Sequence, residues 1–397
     1  MNREDFPMLN KDVSFFDNAA TTLKPKCVVE AMDNYYYNHT SNIHRGEYDA
    51  AIKTNELYDN VRKIVAKFIN CHEEEVIYTS GSTMSLNMVV FGYMRKYLKK
   101  GDEVLLNKGE HASNILPWIK LSEEIGIVLK YVPLTDNYEL TLDNIKKCVT
   151  DKTKVISLAY VSNVIGDVRD VRNIGDYCHK HNILLNIDGA QAVPHMKVDF
   201  IKDHIDFLSF SGHKMCGPTG VGILVAKKEL LEDMDPIIYG GGMNSFFEED
   251  NSYELKPVPF RFEAGTPPIA EVIGLGEAIK YLETIGMDNI SKYEKELKEY
   301  LISKLEKIDN IILYNKNTDS GILAFNIDGV FSQDTAVYLN HYNICVRAGN
   351  HCAKMLKDEV NIKNTVRVSL YFYNNYNDID KLVEVLKNSK DIFKVII

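Results

Sequence analysis

The middle of this 397-residue chain alternates short apolar runs with helix-like segments, and that alternation restricts the fold more than any other feature. Glu75-Val76-Ile77-Tyr78-Thr79, Asp102-Glu103-Val104-Leu105-Leu106 and Val128-Leu129-Lys130-Tyr131-Val132 each read as a strand. Val155-Ile156-Ser157-Leu158-Ala159, Ile183-Leu184-Leu185-Asn186-Ile187 and Ile205-Asp206-Phe207-Leu208-Ser209-Phe210 continue the series. After the first of these, Gly81-Ser82-Thr83 reads as a turn and 84–97 as a helix. Near-continuous apolar strands separated by helices need cover on both faces. The expected fold is therefore α/β, with a large domain whose mostly parallel sheet is flanked by helices.

After about residue 260 the pattern changes. Segments 272–285 and 291–308 read as helices, Gly321-Ile322-Leu323-Ala324-Phe325-Asn326-Ile327 and Thr365-Val366-Arg367-Val368-Ser369-Leu370 as strands, and 378–388 as an amphipathic helix. This mixture predicts a smaller α+β C-terminal domain. The expected division is 21–262 and 263–397, with 1–20 joining the smaller unit, although no linker marks the boundary. Segment 236–268 is rich in Gly, Pro and aromatics and reads as a long loop; such loops in compact domains are more often functional than idle.

Composition narrows the partners. The formal net charge is −10 and no dense basic cluster stands out, which argues against nucleic acid. No apolar run approaches the roughly 20 residues that span a bilayer. The polar start Met1-Asn2-Arg3-Glu4-Asp5-Phe6 lacks an apolar signal core, so a cytoplasmic protein is expected. The seven cysteines (27, 71, 148, 178, 216, 345 and 352) are odd in number and none is spaced Cys-x-x-Cys, which indicates neither a disulfide framework nor a metal site. Most, including Cys216 and Cys345, are expected as packed, buried residues.

The motif Ser211-Gly212-His213-Lys214, followed by Gly217-Pro218-Thr219-Gly220, places a lysine just past the strand at 205–210. Such a lysine is ordinarily a solvated loop residue. In an α/β enzyme it is also where a lysine holds the aldehyde of pyridoxal phosphate (PLP). That cofactor needs an acid at the pyridine nitrogen, a flat group on the ring, donors to the phenolate oxygen and a phosphate cradle. Asp188, opening Asp188-Gly189-Ala190-Gln191, suits the nitrogen or a helix N-cap. Gln191 and Asn163 could bond the phenolate, or be structural. The Gly81-Ser82-Thr83 turn, with the Thr83 hydroxyl, suits a phosphate or a plain cap. Ser211 and His213 would add phosphate bonds. His111, in Glu110-His111-Ala112-Ser113-Asn114, could stack on the ring or be a packed histidine.

In this order the residues resemble a fold-type I PLP enzyme of the class V aminotransferase family, and more closely the group II, SufS-like cysteine desulfurases. The resemblance covers nearly the whole chain. It includes Asp17-Asn18-Ala19-Ala20-Thr21, Asn42-Ile43-His44-Arg45-Gly46, Val161-Ser162-Asn163-Val164-Ile165-Gly166, Phe262-Glu263-Ala264-Gly265-Thr266-Pro267 and Val346-Arg347-Ala348-Gly349-Asn350-His351-Cys352-Ala353. It implies that L-cysteine is converted to L-alanine, with Lys214 moving the Cα proton and His111 assisting. Cys352 would be the nucleophile that keeps the sulfur as a persulfide, for an acceptor protein of iron–sulfur assembly. Arg347 and Arg367 would grip the substrate carboxylate, with Asn163 nearby. A free thiol is only about 3% thiolate at pH 7, so Arg347 and His351 are expected to lower the Cys352 pKa.

The resemblance further implies a homodimer in which Thr266 reaches the partner's phosphate and 236–268 forms a hairpin near the partner's site. Two positions depart from the family pattern: Asn350 where a second histidine is common, and Met355 where proline is common. The alternatives are a selenocysteine lyase or other C–S lyase, a class V aminotransferase, and an idle PLP-binding scaffold that docks sulfur-transfer partners.

Overall fold

The computed structural model describes residues 3–44, 46–389 and 392. Arg45 of the 42–46 motif and most of the final segment lie outside them. After two short helical turns, Arg3–Asp5 and Pro7–Lys11, come β1 (Ser14–Phe15) and two helices, Lys26–Asn38 and Asp49–Ile69. The next seven strands are β2 (Val76–Thr79), β3 (Glu103–Leu106), β4 (Val128–Tyr131), β5 (Thr153–Ala159), β6 (Leu184–Asp188), β7 (Phe207–Ser211) and β8 (Gly222–Ala226). They form one sheet in the order β2-β8-β7-β6-β5-β3-β4. Only β8 runs against its neighbours, so the sheet is mixed but mostly parallel.

Most of these strands are buried along their full length, because helices cover both faces. β5 and β6 each keep one half-buried residue, and the marked exception is β4, whose first residue is exposed and the rest half-buried. It has one strand partner and lies at the edge, which its apolar run does not reveal. The helix expected at 84–97 starts earlier, at Ser82, and continues through a wider-turned stretch (Val89–Met94) to Tyr97.

Strand β8 is absent from the sequence expectations. It follows the Gly217–Gly220 turn directly, and its first residue packs against the β2–helix turn. A Cβ on Gly222 would lie 2.4 Å from Gly81 Cα and 2.7 Å from Gly81 C, so no other residue fits there without displacing backbone.

The 236–268 segment is not a plain loop. It carries an antiparallel hairpin, β9 (Asn244–Phe247) with β10 (Tyr253–Leu255), and exposes Phe247 and Tyr253. Helix Ile269–Ile285 then packs into the same core as the main sheet. Farther on, β11 (Ile311–Tyr314), β12 (Ile322–Ile327), β14 (Arg347–Gly349) and β15 (Thr365–Ser369) form an antiparallel sheet ordered β11-β12-β15-β14. A short β13 (Ile344–Cys345) pairs in parallel with β1.

Helices Met287–Leu305 and Tyr376–Lys387 bury Leu297, Leu301, Ile379 and Leu382 against Phe325, Val366 and Val368 of this smaller sheet. The N-terminal segment is fastened here as well. Arg3 donates to Asp378 Oδ2 at 2.6 Å and to the Tyr373 carbonyl at 2.7 Å. This route carries residues 17–22 past the carboxyl ends of the main strands.

Candidate active site

A cavity of about 250 Å³ opens where those strand ends meet the edge of the smaller sheet. Open α/β sheets generally bind ligands at this end. Its wall includes Thr83, His111, Asn163, Asp188, Gln191, Ser211, His213 and Lys214 from the main-sheet side, and Arg347, Cys352 and Arg367 from the other. Thr266 is not among them. It lies in a second cleft with Asn42, His44 and Lys256, where Asn42 Nδ2 donates to its hydroxyl at 3.3 Å.

Lys214 ends the single turn Gly212–Lys214 that follows β7. Burial lowers its pKa to about 8, and Asp188 opposes that shift. Part of the amine population is therefore neutral near physiological pH, which is the nucleophilic form. Asp188 is the last residue of β6; burial raises its carboxyl and Lys214 holds it down. Its Oδ1 accepts from Ala190 N at 3.0 Å and from Ser82 Oγ at 3.4 Å, so the carboxylate is fixed from two sides.

The 81–83 turn is tied to the lysine loop. Ser82 N donates to Ser211 Oγ at 2.8 Å, which uses one backbone donor of the turn and leaves the Ser211 hydroxyl proton free. Thr83 Oγ1 lies 2.7 Å from Ser113 Oγ, and Ser113 Oγ lies 3.1 Å from His111 Nδ1. Because Ser113 N also donates to His111 Nδ1 at 3.1 Å, that nitrogen is an acceptor and the neutral ring carries its proton on Nε2. Burial, and then the charges of Lys214, Arg367 and Arg347, push the His111 pKa down to about 4. Beneath it Glu110, fully buried, pairs with Arg169 and accepts from Ala159 N at 2.6 Å. His213 is likewise pushed to about 4, chiefly by burial. It can offer a phosphate a hydrogen bond but not a full charge.

Gln191 Nε2 donates to the Ala19 carbonyl at 2.7 Å. Asn163 Nδ2 donates to the His351 carbonyl at 2.8 Å, and the Asn163 carbonyl accepts from Arg367 Nη1 at 2.7 Å. Asn163 thus joins the main sheet to the cysteine loop. Burial lowers Arg367 to about 10, with Asp17 opposing. Burial also raises the Asp17 carboxyl, and Arg367 and Arg347 oppose that.

Cys352 is exposed at the cavity mouth. Its loop is fixed by Ala112 N donating to the Cys352 carbonyl at 2.8 Å and by Cys352 N donating to Asn350 Oδ1 at 3.1 Å. Asn350 therefore has a definite task in place of a histidine. His351 does not act as expected. Its Nε2 bonds Thr365 Oγ1 at 2.9 Å and the Thr365 carbonyl at 3.2 Å, and burial pushes its pKa to about 3. A neutral imidazole brings no positive charge to the thiol. The cysteines also differ from expectation: only Cys178 and Cys216 are fully buried, and Cys345, the last residue of the two-residue strand β13, is half-buried. Burial pushes Cys216 up to about 12, so it stays a thiol.

Ser82, Ser113, Asp17 and the Glu110–Arg169 pair were not singled out by sequence. All but Arg169 lie inside motifs already quoted, but their roles depend on contacts between distant segments.

The groups present fit PLP. Gln191 Oε1, His351 Nδ1 and Arg367 Nε are buried on the cavity wall without hydrogen-bond partners, so the wall holds polar capacity that the protein does not satisfy. A neutral-capable lysine, a buried carboxylate, a flat imidazole and a hydroxyl-lined turn meet the cofactor's separate needs.

The class-V aminotransferase model matches residues 14–382. A "Probable cysteine desulfurase" of Staphylococcus aureus is 41% identical over 398 residues, covering 98% of this chain and 96% of the relative. One from Halalkalibacterium halodurans is 40% identical over 394 residues, covering 98% and 97%. Among solved structures, the apo cysteine desulfurase of Thermococcus onnurineus matches with a TM-score of 0.94 at 35% identity, covering 97% of this chain and 96% of that one. The cysteine desulfurase CsdA of Escherichia coli matches at 0.93 and 33%, covering 98% of each. With the lysine, carboxylate and cysteine gathered at one cavity, this chain belongs to the class V aminotransferase family.

Proposed function

We propose that the protein is a PLP-dependent cysteine desulfurase that converts L-cysteine to L-alanine and retains the sulfur as a persulfide on Cys352. The observation that carries this reading is one cavity with the Lys214 amine on its wall, an exposed thiol at its mouth and two arginines beside that thiol. When bound, PLP withdraws electrons from the substrate Cα. Lys214 would anchor the cofactor and Asp188 would hold its ring nitrogen, while Thr83, Ser211 and His213 would take its phosphate and Gln191 and Asn163 its phenolate oxygen.

Arg347 and Arg367 orient the substrate carboxylate through paired N–H bonds. The Lys214 amine takes the Cα proton. The Cys352 thiolate attacks the substrate sulfur; the S–S bond forms as the C–S bond breaks, and the electron pair stays with the substrate carbon. Proton return gives alanine, so L-cysteine plus one thiol yields L-alanine plus one persulfide. His111, with its proton on Nε2, would be the nearby proton donor.

The reading extends to a homodimer in which Thr266 completes the partner's phosphate site, with the exposed hairpin reaching across. It also extends to a cytoplasmic setting and a sulfur-acceptor protein in iron–sulfur assembly. Among the described residues no helix is long and apolar enough to cross a membrane. The test is alanine and persulfide formation from L-cysteine by wild type, Lys214→Ala and Cys352→Ala. If Cys352→Ala still forms persulfide, the desulfurase reading fails. Selenide release from selenocysteine by Cys352→Ser tests whether the two substrates share the site.

A further inference from the structure

Arg347 and Arg367 are direct cross-strand partners on β14 and β15. Two guanidinium groups so placed repel one another. A single carboxylate from elsewhere in the chain spans them. Asp17 Oδ1 lies 3.3 Å from Arg367 Nη2, and its Oδ2 lies 3.8 Å from Arg347 Nη1. Asp17 is itself held in register by a bridge to Ser369. Two and three residues later, Ala19 and Ala20 line the cavity. Arg367 is almost fully buried on the cavity wall, with Nη1 donating to the Asn163 carbonyl and Nη2 on Asp17, so the chain fixes this guanidinium in place with Asp17 beside it.

We propose that Asp17 is a specificity-determining residue that matches the arginine pair to amino acids with one carboxylate and a neutral side chain. With Asp17 present the three groups sum to a net charge of +1, which one substrate carboxylate neutralises. Without it the pair carries +2 and favours a second anionic group on the substrate. A side-chain anion entering the native site meets Asp17 as a like charge, which is the repulsive element that discrimination between similar ligands needs. This inference rests on the arginines binding a carboxylate, not on what happens to the sulfur.

The experiment measures dissociation constants of L-alanine and L-aspartate for the holoenzyme from changes in the absorbance of the bound cofactor. Wild type, Asp17→Asn, Asp17→Glu and Arg347→Gln are compared, with thermal unfolding recorded for each. The expected result for Asp17→Asn is a shift of the L-aspartate to L-alanine affinity ratio toward L-aspartate of about tenfold, a 1.4 kcal/mol change. Asp17→Glu keeps the wild-type ratio, and Arg347→Gln, at an exposed position, moves it the other way. An unchanged ratio in Asp17→Asn and Arg347→Gln, whatever happens to thermal stability, overturns the proposal. If wild type makes no alanine from L-cysteine the desulfurase reading fails, while the ratio still decides the role of Asp17.

Discussion

Asp188 ends the largely buried strand β6 and Lys214 ends the turn that follows fully buried β7, whereas Cys352 stands exposed on a loop at the edge of a second sheet. On the lysine side, side chains are fixed by several short contacts, and pKa values are displaced by burial and neighbouring charge. On the cysteine side two consecutive non-glycine residues, His351 and Cys352, adopt left-handed backbone with φ of 51° and 59°. Each such residue costs roughly 1–3 kcal/mol unless its surroundings over-determine it. One half of the cavity thus holds its amine on a buried scaffold, and the other presents its thiol at the exposed mouth.

The largest expected effect separates the halves outright. Lys214→Ala loses alanine production by roughly 10³-fold or more and also loses the visible absorbance of anchored cofactor. Cys352→Ala loses persulfide formation to a similar degree but keeps that absorbance. Spectra and product assays on the two variants check this, and loss of cofactor from Cys352→Ala would break the division.

Next in size is Arg169→Met. It leaves Glu110 buried without its cation under His111, and destabilises the protein by about 3–5 kcal/mol. Urea unfolding measures this. A loss as small as that of an exposed pair would mean the lysine side is less rigid than its contacts imply.

Smaller effects belong to the cysteine loop. Asn350→Ala removes the acceptor of Cys352 N–H and costs about 1 kcal/mol, with cofactor absorbance unchanged. Hydrogen exchange at 350–353 should rise while that of β6 and β7 stays constant.

Neutral His351 gives the finest test. Its folded pKa, near 3, lies below the ordinary value of about 6.5. The unfolded chain therefore binds one more proton between those values. The associated stability is present above about pH 6.5 and is lost as pH falls through that window. Relative to wild type, His351→Gln should remove one proton from the slope of unfolding free energy against pH between about 4 and 6.

The main sheet was legible because β5, β6 and β7 are apolar runs between turn signals, and Lys214 and Asp188 sit where those runs stop. β8 was not, because the close approach that demands Gly222 involves Gly81, far away in sequence. Cys352 was picked out by its motif's resemblance, and it does line the cavity. The neutrality of His351 was not, because it depends on Thr365 and on burial that local sequence does not report. Asp17 was visible as a letter in a motif, but its two arginines arrive from strands more than 300 residues later.

The absence of a side chain at position 222 links assembly to competence. The first residue of β8 touches the backbone of the turn that opens the helix at Ser82. Docking β8 between β2 and β7 therefore sets the position of that turn at the same moment. A molecule with its sheet complete has already set the turn that carries Ser82 and Thr83 into the cavity wall, and any variant bulkier at position 222 should lose sheet stability and cofactor absorbance together.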